Sequence, residues 1–218
     1  MRKLLIVLAA LLVFGQAYEL FARPIDEAAE VAARKEAREN ENYKKAIFAG
    51  GCFWCVQPPY DHLDGVIATT VGFTGGTEVD PTYKEVSWGK TSHTEAVEVI
   101  YDPEKVSYEK LLEIFWRNIN PTDSGGQFVD RGPQYRPGIF YVNEEQKKTA
   151  LESKKRLEES GCFDKPIVVE ITEATPFYDA EEYHQKYYLK SPLSYKTYRM
   201  GSGRDKFIEK TWNVSIKE

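Results

Sequence analysis

Short apolar runs recur along the chain at Ala46–Ala49, Ile67–Phe73, Ala96–Tyr101, Gly138–Val142 and Ile167–Thr172. Their brevity and their β-branched and aromatic content predict strands rather than helices. The intervening segments carry helical signals. Ser107 stands where an N-cap would, ahead of the periodic apolar set Leu111, Leu112, Ile114, Phe115 and Trp116. Asn143 predicts the start of a long helix over 144–160, and Gly161 its end. Alternating strands and helices predict an α+β chain built as a two-layer α/β sandwich. With 218 residues, 42% of them hydrophobic, one well-buried core is expected over residues 43–212, followed by a short tail, 213–218.

The N-terminus follows a different pattern. Met1-Arg2-Lys3 precedes an unbroken apolar run, Leu4 to Phe14, and then Gly15-Gln16-Ala17. That order of charged, apolar and small residues predicts a signal peptide over residues 1–17, and hence export to a periplasmic or extracellular location. The run falls well short of the roughly 20 residues a spanning helix needs, which makes an uncleaved anchor the weaker alternative. Removing Arg2 and Lys3 takes the formal charge from −5 to −7, a poor match for nucleic acid. Residues 18–42, rich in Ala, Glu, Arg and Lys and without a broad apolar face, read as an exposed helix or flexible spacer.

Candidate chemistry concentrates in Ala49-Gly50-Gly51-Cys52-Phe53-Trp54-Cys55, where two thiols frame two aromatic rings as the chain leaves a strand. The chain has three cysteines. In an exported protein that odd number leaves at least one thiol free to react. Pro58 and Pro59 fit only the first turn of a helix, so a helix is expected to begin near Pro58, with Cys52 and Cys55 in the turn entering it. The positive end of a helix favours thiolate over thiol.

Seven ordered blocks make the chain resemble the A-type peptide methionine sulfoxide reductases from about Tyr43 to Trp212. They are Gly50-Gly51-Cys52-Phe53-Trp54, Val71-Gly72-Phe73-Thr74-Gly75-Gly76, Asp80-Pro81-Thr82-Tyr83, His93-Thr94-Glu95-Ala96-Val97, Tyr101-Asp102-Pro103, Asp130-Arg131-Gly132-Pro133-Gln134-Tyr135-Arg136 and Ala180-Glu181-Glu182-Tyr183-His184-Gln185. The resemblance implies a mixed sheet, a ferredoxin-like variant, and reduction of methionine-S-sulfoxide without metal or organic cofactor. Cys52 would then be the nucleophile, and Glu95 the acid that protonates the sulfoxide oxygen. Tyr83 and Tyr135 would aim hydroxyls at that oxygen, Asp130 would order the polar groups, and Phe53 and Trp54 would receive the substrate methyl group. Taken singly, each has a plainer reading: a glutamate on a strand edge is usually solvated, an aspartate near glycines usually turns the chain, and aromatic residues usually fill a core.

Such chemistry leaves Cys52 as a sulfenic acid that a second thiol can condense to a disulfide. Many relatives carry that thiol in a glycine-rich C-terminal tail, whereas Ser194 to Trp212 contains none. Cys55 is the first candidate, Cys162 the second, and reduction by an outside thiol the third; in each case a thioredoxin-like protein is the expected donor. His184 is expected to make a structural hydrogen bond, and His62 to face solvent. His62, His93 and His184 are too scattered among the cysteines for a zinc site. A general thiol-disulfide oxidoreductase using Cys52 and Cys55 is the competing reading, and an exported interaction module with purely structural thiols a third. The basic positions Lys196, Arg199, Arg204, Lys206 and Lys210 read as a solvated terminus.

Overall fold

A computed structural model describes residues 25–214. The expected signal peptide and its cleavage point lie outside the described residues, and no described helix is long and apolar enough to cross a membrane. The chain divides into two units, Met1–Ala32 and Ala33–Glu218. Of the first, residues 25–32 are described; they open helix α1 (Glu27–Glu39), where the Asp26 carboxylate accepts from the Ala29 N–H. In the second unit α1 is only partly the exposed spacer its composition suggests. Ala37 is buried, Arg34 pairs with Glu182, and Arg38 bridges Glu98 and Asp179.

The second unit is built on a six-stranded mixed sheet with strand order β7-β6-β1-β3-β2-β8. The strands are β1 (Lys44–Gly50), β2 (Val66–Thr74), β3 (Thr94–Tyr101), β6 (Pro137–Tyr141), β7 (Glu170–Glu173) and β8 (Tyr178–Asp179). Helices α2 (Phe53–Asp61), α3 (Tyr83–Ser87) and α4 (Tyr108–Asn118) lie between them in sequence, followed by α5 (Glu144–Glu159), α6 (Tyr187–Lys190), α7 (Pro192–Ser202) and α8 (Arg204–Trp212). The short pair β4 (Gly126–Gln127) and β5 (Asp130–Arg131) stands apart. Along β6-β1-β3-β2 each strand is antiparallel to its neighbour, and β7 adds in parallel to β6. With α2 and α4 as crossovers, this is the ferredoxin-like variant.

Period-two alternation sends Ala46 and Phe48 of β1, Val97 and Val99 of β3, and Val71 and Phe73 of β2 to the same face. There they form one core with Phe53, Val56 and Tyr60 of α2 and Leu111, Leu112 and Phe115 of α4. Phe48 lies at its centre, stacked on Tyr60 at 5.3 Å and Phe115 at 5.4 Å between ring centroids. The alternate positions Ile47, Ala49, Ala96 and Phe140 pack with Ala174 and Phe177 on the other face. Helix starts follow the sequence reading: Ser107 caps α4 and Asn143 caps α5, each side chain accepting the N3 amide, with α5 stopping before Gly161 at φ +66°.

Two elements differ from expectation. The fifth strand begins at Glu170 rather than Ile167, because the Val168 amide is given to the Pro121 carbonyl (2.9 Å) instead of a strand partner. Ile167 and Val169 are still buried. Helix α2 starts at Phe53, not near Pro58, so both prolines lie inside it. A proline strips the carbonyl four residues earlier of its amide partner. For Pro59 that carbonyl is on Cys55, and it is satisfied by Asn118 Nδ2 (3.2 Å) and Arg199 Nη1 (3.0 Å). Tertiary contacts thus compensate the break that the local rule predicts.

Candidate active site

The turn from β1 into α2 sets the geometry. Gly51 has φ +81°, and a Cβ there would fall 2.5 Å from Gln127 Cβ. Replacing Gly51 with alanine combines left-handed strain with overpacking and is expected to cost at least about 2 kcal/mol, read by urea unfolding. The turn makes Cys52 the N-cap of α2 and puts Cys55 in its first turn. Both are free and buried, at 6% and 1% exposure, and each thiol acts on the charge of the other. Cys162 is instead exposed beyond α5, its amide given to Ser160 Oγ.

Glu95 reaches this helix start from β3, which lies between β1 and β2 inside the sheet. It shares the face of Val97 and Val99, is 1% exposed, and its Oε2 accepts the Phe53 N–H at 2.9 Å. It is therefore neither on an edge nor solvated. Burial, with smaller pushes from Asp130 and Cys55, lifts its carboxyl to about 8 against the pull of the Phe53 amide.

Tyr83 at the start of α3 and Tyr135 in the short 3-10 turn Pro133–Tyr135 feel both Glu95 and Cys52. Burial and then Glu95 push both phenols up, so each keeps its proton and can donate. Asp130, in β5, is raised by burial while the Tyr198 hydroxyl donated to it and the Arg204 charge pull it down. The sequence names Cys52, Glu95, Tyr83, Tyr135 and Asp130 from four separate blocks, and the structure brings them to one helix start.

The Cys52 thiol departs from expectation. Burial pushes it well above its ordinary value, and the neighbouring Cys55 thiol and the carboxyls of Glu95 and Asp130 add to the rise. Burial and acidic neighbours outweigh the helix start. Cys55 moves the other way, to about 7, drawn down by the neighbouring Cys52 thiol and then by Arg204 and Arg199.

The aromatic wall is layered. Phe53 is fully buried among Phe73, Tyr83 and His184. Trp54 is half-buried, stacked on Tyr187 at 3.9 Å and met edge-on by Tyr198 at 5.8 Å. Its Nε1–H donates to His184 Nδ1 at 3.1 Å, the structural hydrogen bond expected of that histidine. Burial lowers His184 to about 4, so the ring is neutral and carries its proton on Nε2. His62 is exposed.

Three site neighbours escaped the sequence reading. The Tyr198 hydroxyl donates to Asp130 and lies near enough to Cys52 to feel its charge. Arg199 and Arg204, taken for part of a solvated tail, are largely or fully buried. A break at Gly203, φ +79° between α7 and α8, was their one local sign: it folds the basic segment back instead of letting it extend.

The model of the peptide methionine sulfoxide reductase family matches residues 44–216. The chain belongs to that family. A peptide methionine sulfoxide reductase MsrA from Bacillus pumilus is 53% identical over 174 residues, covering 80% of this chain and 98% of that protein. Among solved structures, reduced Mxr1 from Saccharomyces cerevisiae superposes with TM-score 0.67 at 32% identity, covering 71% of this chain and 89% of Mxr1. Mxr1 in complex with Trx2 superposes at 0.50 and 24% identity, covering 68% and 87%. The reductase family thus accounts for nearly all of the second unit.

Proposed function

We propose that this chain reduces methionine-S-sulfoxide in proteins and peptides, with Cys52 as nucleophile and Glu95 as acid. The observation that carries the assignment is the meeting of a buried thiol and a buried carboxyl raised to about 8 at one helix start, with two phenols that feel the charge of both. Cys52 Sγ attacks the sulfoxide sulfur while Glu95 gives its proton to the oxygen, and Tyr83 and Tyr135 steady the charge that develops there. The Cys52 proton passes to the neighbouring Cys55 sulfur and leaves with the oxygen as water when the disulfide closes. Oxygen passes to Cys52 as a sulfenic acid, and methionine leaves. The S-methyl group takes the aromatic side lined by Phe53 and Trp54, which selects one sulfoxide epimer.

Cys55 then attacks the Cys52 sulfur. An S–S bond forms, the S–O bond breaks, and hydroxide leaves as water. The side-chain contact between the two cysteines supports Cys55 over the exposed Cys162 as resolving thiol. A thioredoxin-like donor restores both thiols, as the disulfide chemistry requires; the Mxr1 complex with Trx2 is a partnership of the same kind. A general thiol-disulfide oxidoreductase would have no use for a buried acid and phenol donors around the sulfur. Export to a periplasmic or extracellular space rests on the N-terminal residue order.

One turnover without reductant, followed by peptide mapping, tests the resolving step. A Cys52–Cys55 link is the expected product. A Cys52–Cys162 link, or a sulfenate that persists, would remove Cys55 from the role.

A further inference from the structure

Arg204 is 1% exposed, yet among the described residues no carboxylate forms an ion pair with it. Its Nη atoms donate to the carbonyls of Asn118 and Gly50, the latter at 2.9 Å. Its guanidinium lies 4.6 Å from the Phe128 ring centroid, and its Nε is buried without a partner. Burying a cation against backbone dipoles alone is costly and calls for a nearby anion. The groups that feel its charge are Asp130 and Cys55. Arg199 approaches the same cysteine from α7, its Nη1 on the Cys55 carbonyl (3.0 Å) and its Nε on Asp205 (2.8 Å).

We propose that Arg199 and Arg204 are positioning residues for disulfide closure, holding Cys55 as the thiolate that attacks oxidised Cys52. This rests on Cys55 being the resolving thiol. In the reduced enzyme Cys52 itself helps to stabilise a Cys55 anion. Once Cys52 carries the oxygen, that help is lost, and the two guanidinium groups are the fixed positive charges that persist through the step. Arg199 also clamps the carbonyl that Pro59 leaves without a helical partner, so the α2 turn bearing Cys55 and its counter-charge are set by one side chain.

The groups facing Cys55 are Cys52 from the N-cap of α2, Glu95 from β3, Asp130 from β5, Tyr195 and Arg199 from α7, and Arg204 from α8, with Asp205 behind Arg199. Asp205 partly neutralises Arg199, so removing its charge should act opposite to removing an arginine. Well below pH 7 each unit of rise in the Cys55 pKa lowers its thiolate about tenfold but raises intrinsic nucleophilicity about threefold, a net loss of about threefold there that becomes a net gain once the thiol is fully ionised.

The test is the rate of disulfide closure in a single turnover from pH 5.5 to 9.5, quenched with a thiol-blocking reagent and normalised to the methionine released. Arg199→Met and Arg204→Met should close about threefold slower at pH 5.5, with the midpoint moved up and the wild-type rate matched or exceeded near pH 9.5. Asp205→Asn should move the midpoint down. Unmoved midpoints, or slowing by one factor at every pH, would overturn the proposal and leave a purely structural role. Should Arg204→Met fail to fold, Arg199→Met and Asp205→Asn decide alone. Cys55→Ser, run in parallel, should accumulate sulfenate. Disulfide closure in that variant would overturn the resolving role of Cys55 itself, a result distinct from an unmoved pH profile.

Discussion

Replacement of Cys52 by serine is expected to abolish reduction of a sulfoxide-bearing peptide, with turnover falling at least about a thousandfold. The loss follows from the chemistry of the accepting atom more than from acidity. Sulfur can take the sulfoxide oxygen as a sulfenic acid, whereas a serine oxygen would have to become a hydroperoxide, with a weak O–O bond. Everything else in the site would remain: the Phe53 amide on Glu95, the two phenols, and the Asp130 contact with Tyr198. The variant therefore isolates the nucleophile. Cys162, exposed beyond α5, provides the contrast, since Cys162→Ser should keep wild-type turnover. Loss of one oxygen from the peptide, followed by mass spectrometry, reads both. Appreciable reduction by Cys52→Ser would refute the nucleophile assignment, and loss in Cys162→Ser would bring that thiol back as resolver.

What could be read from sequence divides along the range of the forces involved. The first four predicted strands, the caps at Ser107 and Asn143 and the stop at Gly161 are local, and the residue pattern carried them. Glu95, Tyr83, Tyr135 and Asp130 were visible only through ordered motifs, because a glutamate on an apolar strand gives no local sign of whether it faces water or a helix start. The Pro58-Pro59 pair misled for the opposite reason. The local rule was sound, but Asn118 and Arg199, distant in sequence, supply the partners that the Cys55 carbonyl lost. The same distance hid Arg199 and Arg204, since charge in a terminal segment usually means solvent. Helix polarity also promised a thiolate at Cys52 that burial and two carboxyls withhold.

Replacement of Glu95 by glutamine should slow the chemical step by about a hundredfold or more while leaving substrate affinity nearly unchanged, the signature of a lost proton donor. Glutamine preserves shape and can still accept the Phe53 N–H, so the helix start keeps its partner. What it cannot do is release a proton to the sulfoxide oxygen. The pH dependence sharpens the distinction. With its carboxyl raised to about 8 by burial, wild type holds the proton at neutral pH, and its single-turnover rate should fall as pH rises through about 8. The glutamine variant should lack that limb, its residual rate following only the thiols. Stability should carry the same mark with a predictable sign. The unfolded chain releases the Glu95 proton near its ordinary pKa of about 4.3, whereas the folded state keeps it to about 8. Between those values the native protein binds more protons than the unfolded chain. Wild type should therefore lose stability relative to Glu95→Gln as pH rises across that window, and the difference should level off above it. Urea unfolding of both proteins at pH 5, 7 and 9 measures the trend, and stopped-flow single turnovers over the same range measure the rate limb. A wild-type rate that stays flat through pH 8, or a glutamine variant that keeps both the rate and the limb, would show that the proton reaching the oxygen comes from another group, and the Tyr83 and Tyr135 hydroxyls would become the donors to test.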